Sequence, residues 1–233
     1  MKINLKNANT LGSFDWVLII GIIALNFIYS LLEKQIDFIG TIAAVTGVIC
    51  VVLVAKGNIL NYLFGLINVM LYAYISFKAQ LYGDAVLNAF YYLPMQFVGW
   101  ALWLKRRDSS ESVTVVAKRM SAINRIILIA VSVSLTLIVG YILEIYNDPQ
   151  PYKDSATTVL SIIAMFVMVK AYMEQWVLWI VVNIISVIMW TVLYLKGADH
   201  SLFMVFMWIA YLANSINGLI VWIKLSGKRR IAY

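Results

Sequence analysis

The sequence predicts an all-α membrane protein of eight transmembrane helices, and three observations predict it. Of the 233 residues, 63 % are hydrophobic and only 12 % are charged, against about 25 % charged in a soluble domain. Mean hydropathy is +0.88. The apolar residues fall in long uninterrupted runs, and a run of about 20 spans the hydrocarbon layer as a helix; a membrane barrel would show short alternating segments instead.

Taken in order, the runs place spans at 15–32, 37–55, 60–77, 82–104, 123–146, 154–172, 176–195 and 201–223. The first has Asp15 at its mouth, full span length and no small-x-small cleavage site after it, so it reads as a retained helix and not as a signal peptide. Cys50 is the sole cysteine and lies in an apolar run; it reads as a core thiol and forms no internal disulfide.

The net charge of +7 is distributed as a topology signal. Fourteen of the 18 Lys and Arg residues fall on one side, which takes in the amino end, the connections after the second, fourth and sixth spans, and the carboxyl end. Lys34, Lys78, Lys153 and Lys196 make up the other side. Positive loops stay in the cytoplasm, so both termini are predicted to be cytoplasmic, in a multi-pass protein of a bacterial inner membrane. That requires an even number of spans. The runs Lys105-Arg106-Arg107 and Lys228-Arg229-Arg230 read as anchors beside anionic membrane lipids, and no nucleic-acid partner is expected.

Spans two to four and six to eight read as two copies of one unit. A shift of 115 residues lays Asn68 on Asn183, Val52 on Val167 and Val54 on Val169; after the loop near 80 and 197 the shift becomes 119 and lays Tyr92 on Tyr211, Gly99 on Gly218, Trp103 on Trp222 and Lys105 on Lys224. Three spans per copy and one between them make the copies parallel. This is the 3+1+3 plan of SWEET-like sugar facilitators, which hold substrate near mid-membrane between the repeats. The chain divides accordingly into a tail and extra helix (1–36), a first repeat (37–107), a basic loop and linker helix (108–150), a second repeat (151–225) and a basic tail (226–233). The pattern Ala43-x-x-x-Gly47 suits close helix contact, between copies of the chain in a homo-oligomer as well as within it.

Polar groups inside hydrocarbon need partners, so their positions carry the chemistry. Asn61, Phe64, Asn68 and Ile75 recur on one helical face, and Trp176, Trp179, Asn183, Ser186 and Trp190 on its counterpart. The third helices carry Asn88, Tyr92, Gln96, Gly99 and Trp103, and Tyr211, Asn214, Ser215, Gly218 and Trp222. Amides both donate and accept, and tryptophan faces stack on flat rings and attract cations. Trp103 and Trp222, near predicted cytoplasmic ends, read as interfacial belt residues, and Asn61 and Tyr72 as helix contacts.

No ionisable residue falls at the middle of a span; Asp37, Asp84, Glu144, Asp154, Lys170 and His200 fall at span ends or in loops. Buried charges mark proton relays, so passive transport is the expectation. His200 is the only histidine, which leaves no metal cluster and a Ser-His pair only through one loop residue. No phosphate-binding Gly-Lys-Ser/Thr loop occurs. An enzyme, a metal and a cofactor are therefore not expected.

Two strings are then recognisable. Asn61-Tyr62-Leu63-Phe64-Gly65-Leu66-Ile67-Asn68-Val69, and Trp176-Val177-Leu178-Trp179 with the following Asn183 and Ser186, resemble the signatures of the PnuC nicotinamide riboside transporters; Gln80-Leu81-Tyr82, Gly99-Trp100 and Asp154-Ser155 do so too. The resemblance covers roughly residues 37–225. It implies uptake of nicotinamide riboside by facilitated diffusion, with trapping by phosphorylation in the cytoplasm, and a substrate site of Asn68, Asn88, Gln96, Trp176, Trp179, Asn183 and Asn214, joined by Tyr92 and Tyr211. Thiamine, or another vitamin carried on the same scaffold, is the alternative substrate. Nicotinamide mononucleotide is expected to be excluded, since no cation in the bundle awaits a phosphate.

Overall fold

The computed structural model describes residues 11–33, 37–79, 82–106, 117–145 and 151–227. They form α1 (Ser13–Glu33), α2 (Phe38–Ala55), α3 (Asn61–Lys78), α4 (Tyr82–Val86), a π-helical stretch (Leu87–Tyr92), α5 (Leu93–Leu104), α6 (Ala122–Ile145), α7 (Pro151–Val169), α8 (Gln175–Leu195) and α9 (Ser201–Gly227). Among the described residues there is no strand, and one isolated bridge joins Lys118 to Tyr172. Lys34, Gln80, Leu81, Arg107 and the run Lys228-Arg229-Arg230 lie outside the described residues.

Among the described residues, five helices are long and apolar enough to cross a membrane: α2, α6, α7, α8 and, over Ser201–Ile223, α9. α3 is less apolar because it carries Asn61, Asn68 and Lys78, and the stretch 82–104 is divided. The division has a cause in the sequence. Pro94 has no N–H, and its ring crowds the turn before it. That turn widens, and the Leu93 N–H bonds to the Asn88 carbonyl five residues back. Eight residues of plain α-helix would swing a side chain about 80° round the axis. The wider turn offsets that drift, so Asn88 and Gln96 line one cavity. Elsewhere the starts are conventional: Asp37 caps α2 by accepting from the Gly40 N–H at 2.8 Å, and α7 opens on Pro151, where a missing N–H costs nothing.

The turns after α2 and α7 share one hydrogen-bond pattern. Gly57, Asn58 and Tyr62 donate to Val54, Leu53 and Ile59; Ala171, Tyr172 and Trp176 donate to Met168, Val167 and Met173. Gly57 and Ala171 hold φ of 65° and 59°. Corresponding positions are thus 114 residues apart (Gly57 to Ala171), which corrects the shift of 115 read from matching asparagines. Tyr62 answers to Trp176, and Asn183 answers to Val69. Matching amide to amide ignored the turn, whose backbone fixes the count.

α2 packs on α9 and α7 on α5. The Trp103 indole donates to the Met168 carbonyl at 3.2 Å and the Trp222 indole to the Ala55 carbonyl at 3.0 Å. Tyr62, Trp103, Trp222 and Trp176 form a continuous ring chain with successive centroids 5.2, 6.5 and 5.9 Å apart. Trp103 and Trp222 are fully buried and are not belt residues. Their depth in the chain suited a belt, but Gly99 and Gly218, one turn earlier, leave room for Tyr62 and Trp176 beneath them. Ala43 and Gly47 are buried within the chain, where a side chain at Gly47 would run into Tyr211, Asn68 and Met207.

α1 packs on α2 and α9, and α6 on α7. Ile126, Ile129, Val133 and Leu137 of α6 are exposed, as a lipid-facing helix requires. Asp15 is buried, not at an open mouth, and pairs with Lys56 at 2.6 Å. At the other end of α2, Asp37 pairs with His200, which precedes α9.

A methyl group at Gly99 or Gly218 would overlap the Tyr62 or Trp176 ring. Gly99→Ala and Gly218→Ala are each expected to cost about 1–3 kcal/mol and lower Tm in detergent, whereas Gly83→Ala, with nothing within 4 Å, leaves Tm unchanged. The Asp37–His200 pair sets a pH dependence. The bond to Asp37 holds the His200 imidazole above its ordinary pKa although burial lowers it. Burial raises the Asp37 carboxyl, but the bonds from His200 and Gly40 outweigh that and leave it below its ordinary value. The histidine contribution is therefore full below its ordinary 6.5 and lost as pH rises through the raised value; the aspartate contribution is present above 3.8 and lost as pH falls through the lowered value. Tm is expected to fall as pH rises from about 6 to about 9, and His200→Gln to flatten that slope.

Candidate binding cavity

Two apolar clusters close the ends of the bundle, one around Trp190 and Met204 and the other around Trp103 and Trp222. Between them lies a cavity of about 130 Å³. Its described wall draws on α2 to α5, the π-helical stretch and α7 to α9, and not on α1 or α6.

Asn68, Asn88, Tyr92, Gln96, Trp176, Trp179, Asn183 and Tyr211 all line the cavity. Asn214 does not. Its Nδ2 donates to the Val51 carbonyl at 2.7 Å, bracing α9 on α2, and Ser215 faces the cavity in its place. Adjacent positions differ by about 100° round a helix, and no signal in the sequence distinguishes them.

The amides are held by their neighbours. Asn68 Nδ2 donates to the Ala43 carbonyl at 2.9 Å, and its Oδ1 accepts from Tyr211 Oη at 3.3 Å. Asn183 Nδ2 donates to Ser215 Oγ at 2.7 Å. Asn88 Nδ2 returns to the Asp84 carbonyl at 2.8 Å. Gln96 Nε2 donates weakly to the Tyr92 carbonyl at 3.4 Å, while its Oε1 is buried without a partner. Gly65 makes room for that oxygen. The Trp179 and Tyr92 rings, which also line the cavity, lie 6.3 Å apart.

Tyr72 is the hub of one end. Its Oη accepts from Trp190 Nε1 at 2.7 Å and Trp208 Nε1 at 3.2 Å, and donates to Asp84 Oδ2 at 3.3 Å. Both indoles stand edge-on to its ring, at 5.8 and 5.9 Å.

Chemically the wall offers aromatic faces, amides, hydroxyls and one carboxylate, with no Lys, Arg or His among its residues. No group of three or more metal-ligating side chains occurs among the described residues. The arrangement suits reversible binding of a flat, polar organic molecule.

The chain matches the family model described as nicotinamide mononucleotide transporter over residues 37–224. It is 41 % identical to the nicotinamide riboside transporter PnuC of Neisseria mucosa over 214 residues, covering 90 % of this chain and 80 % of that one. The PnuC of Haemophilus influenzae is 32 % identical, covering 85 % and 84 %. It also superposes on the crystal structure of the vitamin B3 transporter PnuC with a TM-score of 0.81 at 38 % identity, covering 94 % of each chain.

This chain belongs to the PnuC family.

Within that family fold, several cavity residues escaped the sequence reading, Asp84, Tyr72, Ser161 and Trp208 among them. Asp84 was placed at a span end, yet it faces inward beside Tyr72. Tyr72 was read as a helix contact and Trp208 was not singled out; both line the cavity. A helical step from Trp208 to Tyr211 was the available signal.

Tyr72→Phe leaves two indole N–H groups and one carboxylate oxygen without their partner. It is expected to cost about 1–3 kcal/mol, read as a lower Tm in detergent. Tyr74→Phe, at an exposed position of the same helix, is expected to leave Tm unchanged.

Proposed function

We propose that the chain imports nicotinamide riboside by facilitated diffusion across a bacterial cytoplasmic membrane. The observation that carries this reading is the chemistry of the cavity wall, aromatic and amide-rich with no basic side chain. A pyridinium ring suits the faces of Trp179 and Trp208. A carboxamide suits Asn68, Asn183 and the unpartnered Gln96 oxygen, and ribose hydroxyls suit Asn88, Ser161 and Ser215. The mononucleotide in the family description bears a phosphate, which calls for Arg or Lys; the riboside in the relatives' names does not. The substrate site in this reading comprises Asn68, Asn88, Tyr92, Gln96, Trp176, Trp179, Asn183 and Tyr211, with Ser215 in place of Asn214.

The same reading takes the molecule as eight membrane spans in a SWEET-like plan. An extra amino-terminal helix (1–36) precedes parallel repeats at 37–107 and 151–225, with a linker at 108–150 and a tail at 226–233. The shared turn geometry and the reciprocal α2–α9 and α5–α7 packing support it. Lys56, Arg106, Lys118 and Lys170 gather at the Trp103–Trp222 end, which supports a cytoplasmic assignment of that end and of both termini. Substrate runs down its own gradient, and phosphorylation by a cytoplasmic enzyme maintains that gradient.

Calorimetry on purified protein with the riboside, thiamine and the mononucleotide side by side tests the substrate. Binding of the riboside alone is expected, with Trp179→Ala and Asn183→Ala each weakening it at least about tenfold while Tm holds. Preference for thiamine moves the cargo to another flat cation, and silence from all three overturns the reading. In proteoliposomes without a trapping enzyme, uptake is expected to stop when inside and outside concentrations are equal; accumulation beyond that overturns facilitated diffusion.

A further inference from the structure

Asp84 is the one ionisable carboxylate in the cavity wall, and the fold goes to some length to place it there. Trp190 and Trp208 both donate to the Tyr72 oxygen, which fixes the direction of the phenol proton: it points to Asp84 Oδ2. Among the described residues that is the one side-chain donor to a group with about four acceptor sites. No Lys, Arg or His pairs with Asp84 among the described residues, and the ionisable neighbour that acts on it is Asp154, of like charge. Asp84 is half-buried, and a carboxylate partly withdrawn from water without a counter-ion is costly. A second acceptor points the same way. Gln96 Oε1, two to three turns along the same broken helix, is buried without a donor and lines the same cavity. The described wall thus carries a carboxylate and no positive charge, and its aromatic faces favour a cation.

We infer that Asp84 is the counter-charge for the positively charged ring of the substrate, and so the residue by which the cavity selects an organic monocation over a neutral molecule of the same shape. This rests on the riboside reading above and adds to it a specificity determinant. A carboxylate can also bind a ribose diol, and the two roles separate cleanly. Nicotinamide riboside and its 1,4-dihydro form share the ribose and the carboxamide, but only the oxidised ring carries a charge.

Calorimetry with both ligands on wild-type protein, Asp84→Asn and Asp84→Glu in detergent decides it. Wild type is expected to prefer the cationic form. Asp84→Asn, which keeps the acceptor oxygen and the shape, is expected to weaken the cation at least about tenfold and the dihydro form less than about twofold, erasing the preference; Asp84→Glu restores much of it. Retained dihydro binding shows at once that the variant is folded. Equal losses for both ligands assign Asp84 to the ribose and overturn the proposal, as does an unchanged preference in Asp84→Asn. If wild type binds neither form, the riboside reading itself fails and this inference with it.

Discussion

Hydrocarbon offers no hydrogen bonds, and everything in this molecule follows from having to supply them internally. Helices satisfy the backbone; the side-chain polar groups must find partners across helices. They do so by reaching to the backbone of a neighbour. Trp103 and Trp222 reach to Met168 and Ala55, Asn68 to Ala43 and Asn214 to Val51. In each case one side chain ties two helices and sets their separation. Small residues at Ala43, Gly47, Gly99 and Gly218 permit the approach. Since lipid is as apolar as leucine, packing and these bonds hold the bundle, with no net hydrophobic drive between spans.

The same constraint divides polar residues into two kinds. Some brace helices away from the cavity, as Asn214 does through its Nδ2, although its Oδ1 is buried without a partner. Those left with capacity toward the cavity are available to a solute, as Gln96 is. Pro94 belongs with the second kind by its effect: the widened turn before it keeps Asn88 in line with Gln96. A feature that weakens a helix is what completes the wall.

Much of this was legible in the sequence, because amides and tryptophans in apolar runs are costly unless used. The helical, membrane-embedded class could be read from that, and of the nine residues that the family resemblance implied, eight line the cavity. What stayed hidden depends on direction, not on depth. Asp84 falls at a span end in the sequence, and only the packing of α4 beside α3 turns it inward. Trp103 and Trp222 fall at belt depth, and only the glycines beneath them turn the rings to the axis. Asn214 and Ser215 are adjacent and both polar, so the choice between brace and wall needed coordinates. The repeat was read one residue out of register in its first two helices for a related reason. A loop turn such as Lys56–Gly57 leaves little sequence trace in its partner Lys170–Ala171, although both fold alike.

The distribution of tryptophan has an optical consequence. Of the eight tryptophans, Trp176, Trp179 and Trp208 border the cavity, while Trp103, Trp190 and Trp222 are buried in the packing to either side. An electron-poor ring lodged among the first group accepts an electron from excited indole and quenches its emission, and the second group supplies a steady background. In the proposed reading the cavity is in that sense a built-in fluorometer, which would report occupancy without any label attached to the protein or its cargo.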